Sequence, residues 1–286
     1  LLERAYHWSD EPDLAELDVL LTTGEQESVA LFSMLLQDAG VKARSILGFQ
    51  IPIITDASFG SARIDFIDAT RLRELFETYD VLVMAGFQGR TPDMRLTTLG
   101  RGGSDTSAVA IAAALGDDTR CDIYTDVDGV YTTDPRIVPN ARKMEEITYD
   151  EMLELASMGA KVLQIRSVEI AEKYNVPVRV RSTFSNDPGT LVTKEDDMME
   201  SVLVSGIAFD KDQARITICD VQDRPGTAAS IFNPLGAAGI VVDMIIQTAS
   251  RNGVTDMAFT VSRKDVKRAI AVLEKAGYDV SRIESA

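Results

Sequence analysis

The chain has 286 residues, of which 45% are hydrophobic and 26% are charged, and its formal net charge is -16. These values are typical of a soluble globular protein with one large domain or two smaller ones, and the acidic balance argues against a nucleic-acid or anionic-membrane partner. Because the sequence has a single histidine, His7, histidine-based triads and multi-histidine metal sites are excluded, and no metal ligands are predicted.

Cys121 and Cys219 each lie in an apolar, strand-like run. This placement favours reduced thiols in the core of a cytoplasmic protein over a disulfide. No apolar run reaches the roughly 18 residues of a membrane helix, and no signal-peptide pattern opens the chain. We therefore expect a cytoplasmic location.

Short β-branched runs alternate with helical patterns, which predicts an α/β fold with a three-layer arrangement around a mostly parallel sheet. Helices are predicted at 25–40, 71–78, 105–115, 149–158 and 160–174, and strands at 41–46, within 50–66, and at 81–87, 122–125 and 178–181. A charged segment, 193–201, is the predicted linker between residues 1–192 and residues 202–286. In the second region the pattern predicts strand, strand, helix, strand, strand, helix, with the first strand at 205–210 (SGIAFD). This order predicts a smaller α+β domain.

A glycine-rich segment, residues 97–105 (TTLGRGGSD), leads directly into a predicted helix. Backbone amides at a helix start form an anion site when glycines let the ligand approach closely. Arg101 adds a planar donor suited to a carboxylate or phosphate, and Ser104 adds a hydroxyl. The alternative is a tight turn with Ser104 or Asp105 as N-cap, but three glycines and an arginine exceed what a turn requires. The segment has neither the Walker A nor the Rossmann pattern.

A second candidate segment, residues 125–136 (TDVDGVYTTDPR), follows a predicted strand. Ligands bind beyond the carboxyl ends of strands in open α/β sheets, where Tyr131 offers a ring, Arg136 a cation, and Asp126 and Asp134 carboxylates. Asp-Gly and Asp-Pro are also ordinary turn signals. From the residues alone, a ligand site and a plain turn remain equally open.

Two weaker candidates lie at predicted helix starts. Glu25 follows residues 22–24 (TTG), and its carboxylate suits a substrate ammonium group, while Lys161 follows residues 159–160 (GA). Capping by Thr23 and a solvated surface charge at Lys161 are the simpler interpretations, and the residues alone favour them.

Five motifs, TTGE, GFQG, TTLGRGGSDT, IYTDVDGVYTTDPR and EMLELASMGAKVLQIRSVE, occur in this order. Together they resemble the aspartate kinases of the amino-acid kinase family, from about residue 14 to the end of the chain. The region from Val202 looks like the first of the two ACT modules of that family. Acetylglutamate, glutamate 5-, uridylate and carbamate kinases share the sheet but do not combine these motifs with an ACT region.

The resemblance implies phosphoryl transfer from ATP, with Mg2+, to the β-carboxylate of L-aspartate, giving 4-phospho-L-aspartate on the way to lysine, threonine and methionine. This chemistry suits a histidine-poor chain, because the nucleophile has a pKa of about 4 and is already ionised at neutral pH. The positions that match substrate-binding groups are Glu25, Arg101, Gly102, Gly103 and Ser104, of which Arg101 and Ser104 match the catalytic pair. The positions that match nucleotide-binding groups are Thr125, Asp126, Tyr131, Asp134, Arg136 and Lys161.

The ACT resemblance implies that lysine, threonine or both act as effectors, and that ACT modules of two subunits pair in a homo-oligomer. The positions that match effector contacts are Asp223, Gly226, Ala228, Asp243 and Gln247. The alternative is that Pro225-Gly226 is only a turn and that Asp243 is a pairing residue at the sheet edge.

Two features depart from the family pattern. Aspartate kinases begin with a KFGGTS segment about fifty to seventy residues before the TTGE position, where this chain has 21 residues, and they carry a second ACT module. We therefore expect the catalytic domain, 1–192, to be N-terminally incomplete and the chain alone to have little kinase activity. Two other functions stay open: an amino-acid kinase for another carboxylate, and a noncatalytic regulatory subunit that binds an amino acid.

Overall fold

The computed structural model describes residues 1–51, 53–116, 118–158, 162–194, 205–250, 252–280 and 282–285. The chain divides into two compact units, Leu1–Ala208 and Phe209–Ala286. None of the helices in these ranges combines the length and the apolar character that crossing a membrane requires. Most of the predicted linker lies outside the described residues; its first residue, Thr193, ends a strand, and residues 205–208 belong to the first unit.

The first unit alternates helices and strands. Its helices are α1 (Leu2–Trp8), α2 (Leu14–Asp38), α3 (Ala69–Phe76), α4 (Gly103–Leu115), α5 (Tyr149–Ser157) and α6 (Ile165–Tyr174). Its strands are β1 (Ala43–Ile46), β2 (Ile53–Thr55), β3 (Ile64–Ile67), β4 (Val81–Met84), β5 (Gln88–Arg90), β6 (Leu96–Thr98), β7 (Cys121–Thr125), β8 (Glu146–Thr148), β9 (Val178–Ser182) and β10 (Thr190–Thr193).

These strands form three sheets. β1 pairs with β4 in parallel, while the orders β7-β9-β10-β8 and β3-β2-β5-β6 combine parallel and antiparallel neighbours. The predicted α/β class is confirmed, with mixed strand directions. Helix α4 packs on two of the sheets, because Val109 and Ala112 join the core around β7 and β9 whereas Ile111 packs against Ile46 and Leu72. Helix α4 therefore has a fixed position relative to both of these cores.

Helix α2 begins at Leu14 rather than at the predicted residue 25. The Asp13 side chain caps it by accepting two first-turn N–H groups at 2.9 and 3.2 Å. Gly24 stays inside the helix, where glycine costs about 1 kcal/mol relative to alanine. The TTGE motif is therefore in the middle of a helix, and Thr23 is not a cap: its hydroxyl donates to a backbone carbonyl of the preceding turn.

Two further boundaries differ from prediction. The strand predicted at 81–87 ends at Met84, and β5 begins only after Phe87, whose φ of 66° fits no regular strand. Helix α6 begins at Ile165, where the Gln164 side chain accepts the N–H of Arg166 at 2.6 Å. The predicted helix start near residue 160 was therefore wrong. Lys161 lies outside the described residues.

The second unit contains β11 (Gln213–Gln222), α7 (Thr227–Ala237), β12 (Val242–Gln247), β13 (Val254–Ser262), α8 (Val266–Lys275) and β14 (Arg282–Ser285). Its antiparallel sheet has the order β12-β13-β11-β14, and the core beneath it includes Ile231, Phe259 and Leu273. The predicted α+β class is confirmed. The strand predicted at 205–210 does not form, because the N–H of Ile207 donates to the Thr132 carbonyl at 2.7 Å in the first unit, and β14 provides the fourth strand.

The two cysteines differ in environment. Cys121 is buried in β7, and burial raises the pKa of its thiol to about 12. Cys219 is exposed beside a bulge in β11, where the register shifts between Ile218 and Val221. The prediction of a core thiol was therefore correct for Cys121 and wrong for Cys219.

Candidate active site

The glycine-rich segment becomes a tight loop between β6 and α4, called here the anion loop (residues 100–104). Gly100 and Gly102 have φ values of 78° and 70°, and Gly102 is the N-cap of α4 with no side-chain cap. A Cβ on Gly102 would lie 2.0 Å from Cγ of Gln164, so both conformation and space require glycine. The alternative interpretation, a plain turn with Ser104 or Asp105 as N-cap, is therefore wrong. No side chain competes with a ligand for the first-turn amides of α4.

Arg101 and Ser104 extend from this loop as exposed side chains, whereas Gly103 is buried. The loop is joined to the GFQG motif through Ser107, whose hydroxyl donates to the Ser104 carbonyl at 2.9 Å and accepts the N–H of Phe87 at 3.2 Å. The anion loop thus presents a guanidinium, a hydroxyl and helix amides from one short segment, a donor set that suits a carboxylate or phosphate.

Asp105, in the first turn of α4, carries a perturbed carboxyl that sequence reasoning treated only as a possible cap. Its partial burial raises its pKa, and hydrogen bonds from the Gln164 backbone and the Ser104 side chain oppose that effect. The carboxyl is therefore easier to neutralise than an exposed one at the edge of the candidate site.

Two other charged side chains next to the anion loop were missed from the sequence. Asp18 of α2 and Arg166 of α6 both bind backbone groups just before the loop, at sequence separations between 42 and 104 residues. No local pattern reveals such contacts, because the partners are distant in sequence and all but the Thr98 hydroxyl are main-chain groups that any residue supplies.

Glu25 is half-buried in α2, seven residues after Asp18. Residues seven apart share a helix face and are about 10 Å apart along the axis. Since Asp18 contacts Thr98 of β6, the structure brings the helix that carries Glu25 against the strand that leads into the anion loop.

The second candidate, called here the nucleotide segment (residues 125–136), leaves the carboxyl end of β7. The Thr125 carbonyl accepts the N–H and hydroxyl of Thr183 at 2.9 and 3.1 Å, and the Thr125 hydroxyl donates to the exposed Asp126 at 3.1 Å. Helix α4 precedes β7 by a short connection and packs on it, so the two run antiparallel. The anion loop and the nucleotide segment therefore lie at the same edge of the unit.

Two residues predicted to bind the nucleotide pair with each other. Nε and Nη2 of Arg136 donate to the two carboxylate oxygens of Asp134 at 3.0 and 2.8 Å, and this hydrogen-bonded pair raises the pKa of Arg136. The Arg136 side chain is 87% exposed. A bound phosphate can thus share or replace Asp134 as its partner without a rearrangement of the core.

Another residue predicted to bind the nucleotide, Tyr131, contacts charged side chains. Together they are called here the Lys143 cluster (Asp128, Tyr131, Lys143 and Asp187). The Tyr131 hydroxyl donates to both oxygens of Asp128 at 3.1 Å, and Nζ of Lys143 contacts Asp187 directly and Asp128 at 3.8 Å. Burial and the bond to Asp128 raise the pKa of Tyr131, whereas the contact with Lys143 lowers the pKa of Asp187. An aromatic ring, a cation and several carboxylates suit a base, phosphates and Mg2+ respectively.

The five residues predicted to contact an effector are all exposed in the second unit. The Gln247 amide donates to Asp223 at 3.5 Å, and Gly226 is the N-cap of α7, with a φ of 93° and with Ala228 in the first helical turn. Asp243 lies on β12, which pairs only with β13 among the described strands. The structure thus places four of these residues around the start of α7 and the end of β12, and Asp243 at a sheet edge.

The chain is similar to known proteins over nearly all of its length. A profile of the amino acid kinase family matches residues 2–182, and a profile of the ACT domain matches residues 215–278. An aspartate kinase of Pseudomonas putida is 51% identical over 285 residues, which cover 99% of this chain and 69% of that protein. An aspartokinase of Corynebacterium glutamicum is 48% identical over 280 residues, which cover 96% and 66%.

The chain is also similar to solved structures of aspartokinases. Aspartokinase III of E. coli in complex with lysine and aspartate, in the T-state, has a TM-score of 0.77 and 31% identity over 95% of this chain and 62% of its own. The same protein with aspartate and ADP, in the R-state, has a TM-score of 0.73 and 32% identity, and the coverage is 96% and 62%. The chain therefore spans about two thirds of the length of the relatives it matches.

Proposed function

The chain belongs to the aspartate kinases of the amino acid kinase family, and we propose that its function is the transfer of a phosphoryl group from ATP to the β-carboxylate of L-aspartate. The observation that carries this proposal is the position of the anion loop. Its uncapped helix start, Arg101 and Ser104 lie at the same edge as the nucleotide segment. One face of the unit thus offers donors for an acidic acceptor beside a segment suited to a nucleotide.

The chemistry needs charge neutralisation more than proton transfer. The acceptor carboxylate is ionised at neutral pH and attacks the γ-phosphorus in line, with ADP as leaving group, so no general base is required. Two anions must approach each other, and Arg101 with the first-turn amides of α4 offsets their repulsion. Glu25, on the helix against β6, pairs with the substrate ammonium group. Ser104 donates to a substrate carboxylate.

The nucleotide segment binds ATP in this proposal. Tyr131, fixed by the Lys143 cluster, lies beside the base, and Arg136 exchanges Asp134 for the phosphates. Bound Mg2+ supplies neutralisation of the phosphate charge, and Asp126 and Asp134 offer the carboxylate oxygens that it prefers. Lys161 is proposed as a further phosphate contact from its place in the motif.

The second unit is proposed to bind lysine, threonine or both and to pair with another ACT module in a homo-oligomer. The edge strand β12 supports pairing, because its residues Met244, Ile245 and Ile246 are each about half exposed, and such edges are templates for a partner strand. The proposed product lies on the route to lysine and threonine, so a feedback role for these two amino acids follows. The reduced Cys121 thiol agrees with a cytoplasmic location.

Calorimetric titration of the 286-residue chain with ADP and Mg2+, L-aspartate and L-glutamate tests the proposal. We expect binding of ADP and a clear preference for L-aspartate. A preference for L-glutamate would instead assign a kinase for another carboxylate. If the chain binds lysine or threonine but does not bind ADP, it would instead be assigned as a noncatalytic regulatory subunit.

A further inference from the structure

The backbone that leads into the anion loop is formed by two neighbouring segments. Residues 60–62 lie beside residues 98–100, and the N–H of Ala62 donates to the Thr98 carbonyl at 2.9 Å. The segments touch so closely that a Cβ on Gly100 would lie 3.1 Å from the Gly60 carbonyl oxygen. Any shift of one segment therefore moves the first residue of the anion loop.

A buried carboxylate binds the N–H groups of both segments. Asp18 is 1% exposed, and its two oxygens accept the N–H of Gly60 at 2.9 and 3.1 Å, the N–H of Thr98 at 2.8 Å and the Thr98 hydroxyl at 2.6 Å. Hydrogen bonds to a charged acceptor are shorter and stronger than those between neutral groups. Asp18 thus fixes both segments to helix α2.

A guanidinium binds the carbonyl groups of the same two segments. Nη1 of Arg166 donates to the Leu99 carbonyl at 2.7 Å, and Nη2 donates to the Ala62 carbonyl at 2.9 Å. The rigid fork of arginine spans two acceptors in a way that a lysine ammonium does not. Arg166 thus fixes both segments to helix α6.

We propose that Asp18 and Arg166 are positioning residues that together set the place of the anion loop, one through the amides and the other through the carbonyls of the segments before it. The inference rests on the proposed function for its consequence: Asp18 is on the helix of Glu25, and Arg166 is on the helix that follows Lys161. The two side chains hold the backbone between these helices, so the loss of either moves Arg101 and Ser104 relative to the rest of the site.

The test compares Arg166→Met with Arg73→Met. Arg73 is a matched control, since it also donates to two carbonyls, those of Ala114 and Leu115 at 3.2 and 2.8 Å, but at the carboxyl end of α4, about 18 Å along the axis from the anion loop. Two further variants, Asp18→Asn and Arg166→Lys, guard against a failure to fold, which circular dichroism detects in each case.

Amide hydrogen exchange in the ligand-free chain is the first readout. We expect the N–H groups of Ala62, Leu99 and Gly103 to exchange at least tenfold faster in Arg166→Met, which corresponds to about 1.4 kcal/mol, and to remain within twofold in Arg73→Met. Arg166→Lys is expected to fall between. Wild-type exchange rates at these amides in folded Arg166→Met and Asp18→Asn would overturn the inference.

Calorimetry is the second readout. We expect the affinity for L-aspartate to fall at least tenfold in Arg166→Met and Asp18→Asn while the affinity for ADP stays within about threefold. Equal losses for both ligands would also contradict a role specific to the anion loop. If the wild-type chain binds no L-aspartate, the proposed function fails, and the exchange rates still decide the positioning role.

Discussion

The anion loop and the nucleotide segment lie at one edge of the same unit but are built in different ways. The loop depends on glycine conformations, an uncapped helix and buried charged side chains such as Asp18, which is 1% exposed. The nucleotide segment depends on surface ion pairs such as Asp134 with Arg136, whose side chain is 87% exposed. Buried contacts are screened little by salt, whereas exposed pairs are weak and salt-dependent. The loop is therefore expected to keep its conformation when a ligand binds, whereas the side chains of the segment are expected to exchange partners.

The largest effect is expected from Gly102→Ala. Alanine at a φ of 70° costs about 1–2 kcal/mol, and the overlap with Gln164 adds about 1–3 kcal/mol. Gly239→Ala is the matched control, because its φ is 68° and nothing lies within 4 Å of the added Cβ. Urea unfolding of both variants measures the difference, and L-aspartate binding is expected to be lost only in Gly102→Ala. Equal destabilisation of the two variants would show that the Gln164 side chain moves away from the added Cβ and that the loop is not tightly packed.

A smaller effect, confined to the ligand, is expected from Arg101→Ala. Because Arg101 is exposed, the free energy of unfolding should change by less than about 0.5 kcal/mol. Affinity for L-aspartate should fall about tenfold to hundredfold, since a hydrogen bond to a charged group contributes about 1.5–3 kcal/mol. Arg71→Ala, which removes an exposed pair with Glu74 on α3, is the control. Unchanged affinity in Arg101→Ala would mean that the loop is only a turn.

The smallest effect is expected from Lys143→Met and depends on pH. Lys143 lowers the pKa of Asp187 through their hydrogen bond, so this contribution to stability is present above the ordinary carboxyl pKa of about 4 and is lost as pH falls through the lower folded pKa. The variant should unfold slightly below the wild type at pH 7, and this difference in unfolding temperature should shrink as pH falls below about 4. A difference that persists unchanged at pH 2 would contradict an electrostatic origin. High salt should also reduce the difference in unfolding temperature between the wild type and Lys143→Met at pH 7.

The sequence revealed the parts whose signals are local. Alternating helices and strands, the glycines of the anion loop and the order of the motifs were sufficient to predict the α/β class, the α+β unit and the family. The start of α2 was missed because Gly24 resembles a helix boundary, although the cap at Asp13 outweighs its cost. The contacts of Asp18 and Arg166 were beyond local reasoning, because backbone groups 42 to 104 residues away satisfy them.

Side-chain pairing inside the nucleotide segment was equally invisible. The residues at 126, 134 and 136 were predicted as ligand groups, but the sequence does not say that Asp134 already binds Arg136 or that Tyr131 already binds Asp128. Charged residues near each other pair according to their exact geometry, which depends on the fold around β7 and β9. The predicted roles of these residues, and of Glu25 and Lys161, stay predictions for the experiments above.

The most direct measurement is a cross-titration of two variants with two ligands. Arg101→Ala and Lys143→Met are each titrated with L-aspartate and with ADP and Mg2+, and the four affinities are compared with the wild type. If the two sites are separate, Arg101→Ala should lower the affinity for L-aspartate about tenfold or more and the affinity for ADP less than about threefold. Lys143→Met should lower the affinity for ADP and leave the affinity for L-aspartate unchanged. Equal losses for both ligands in both variants, or no loss in either, would contradict the assignment of the two segments.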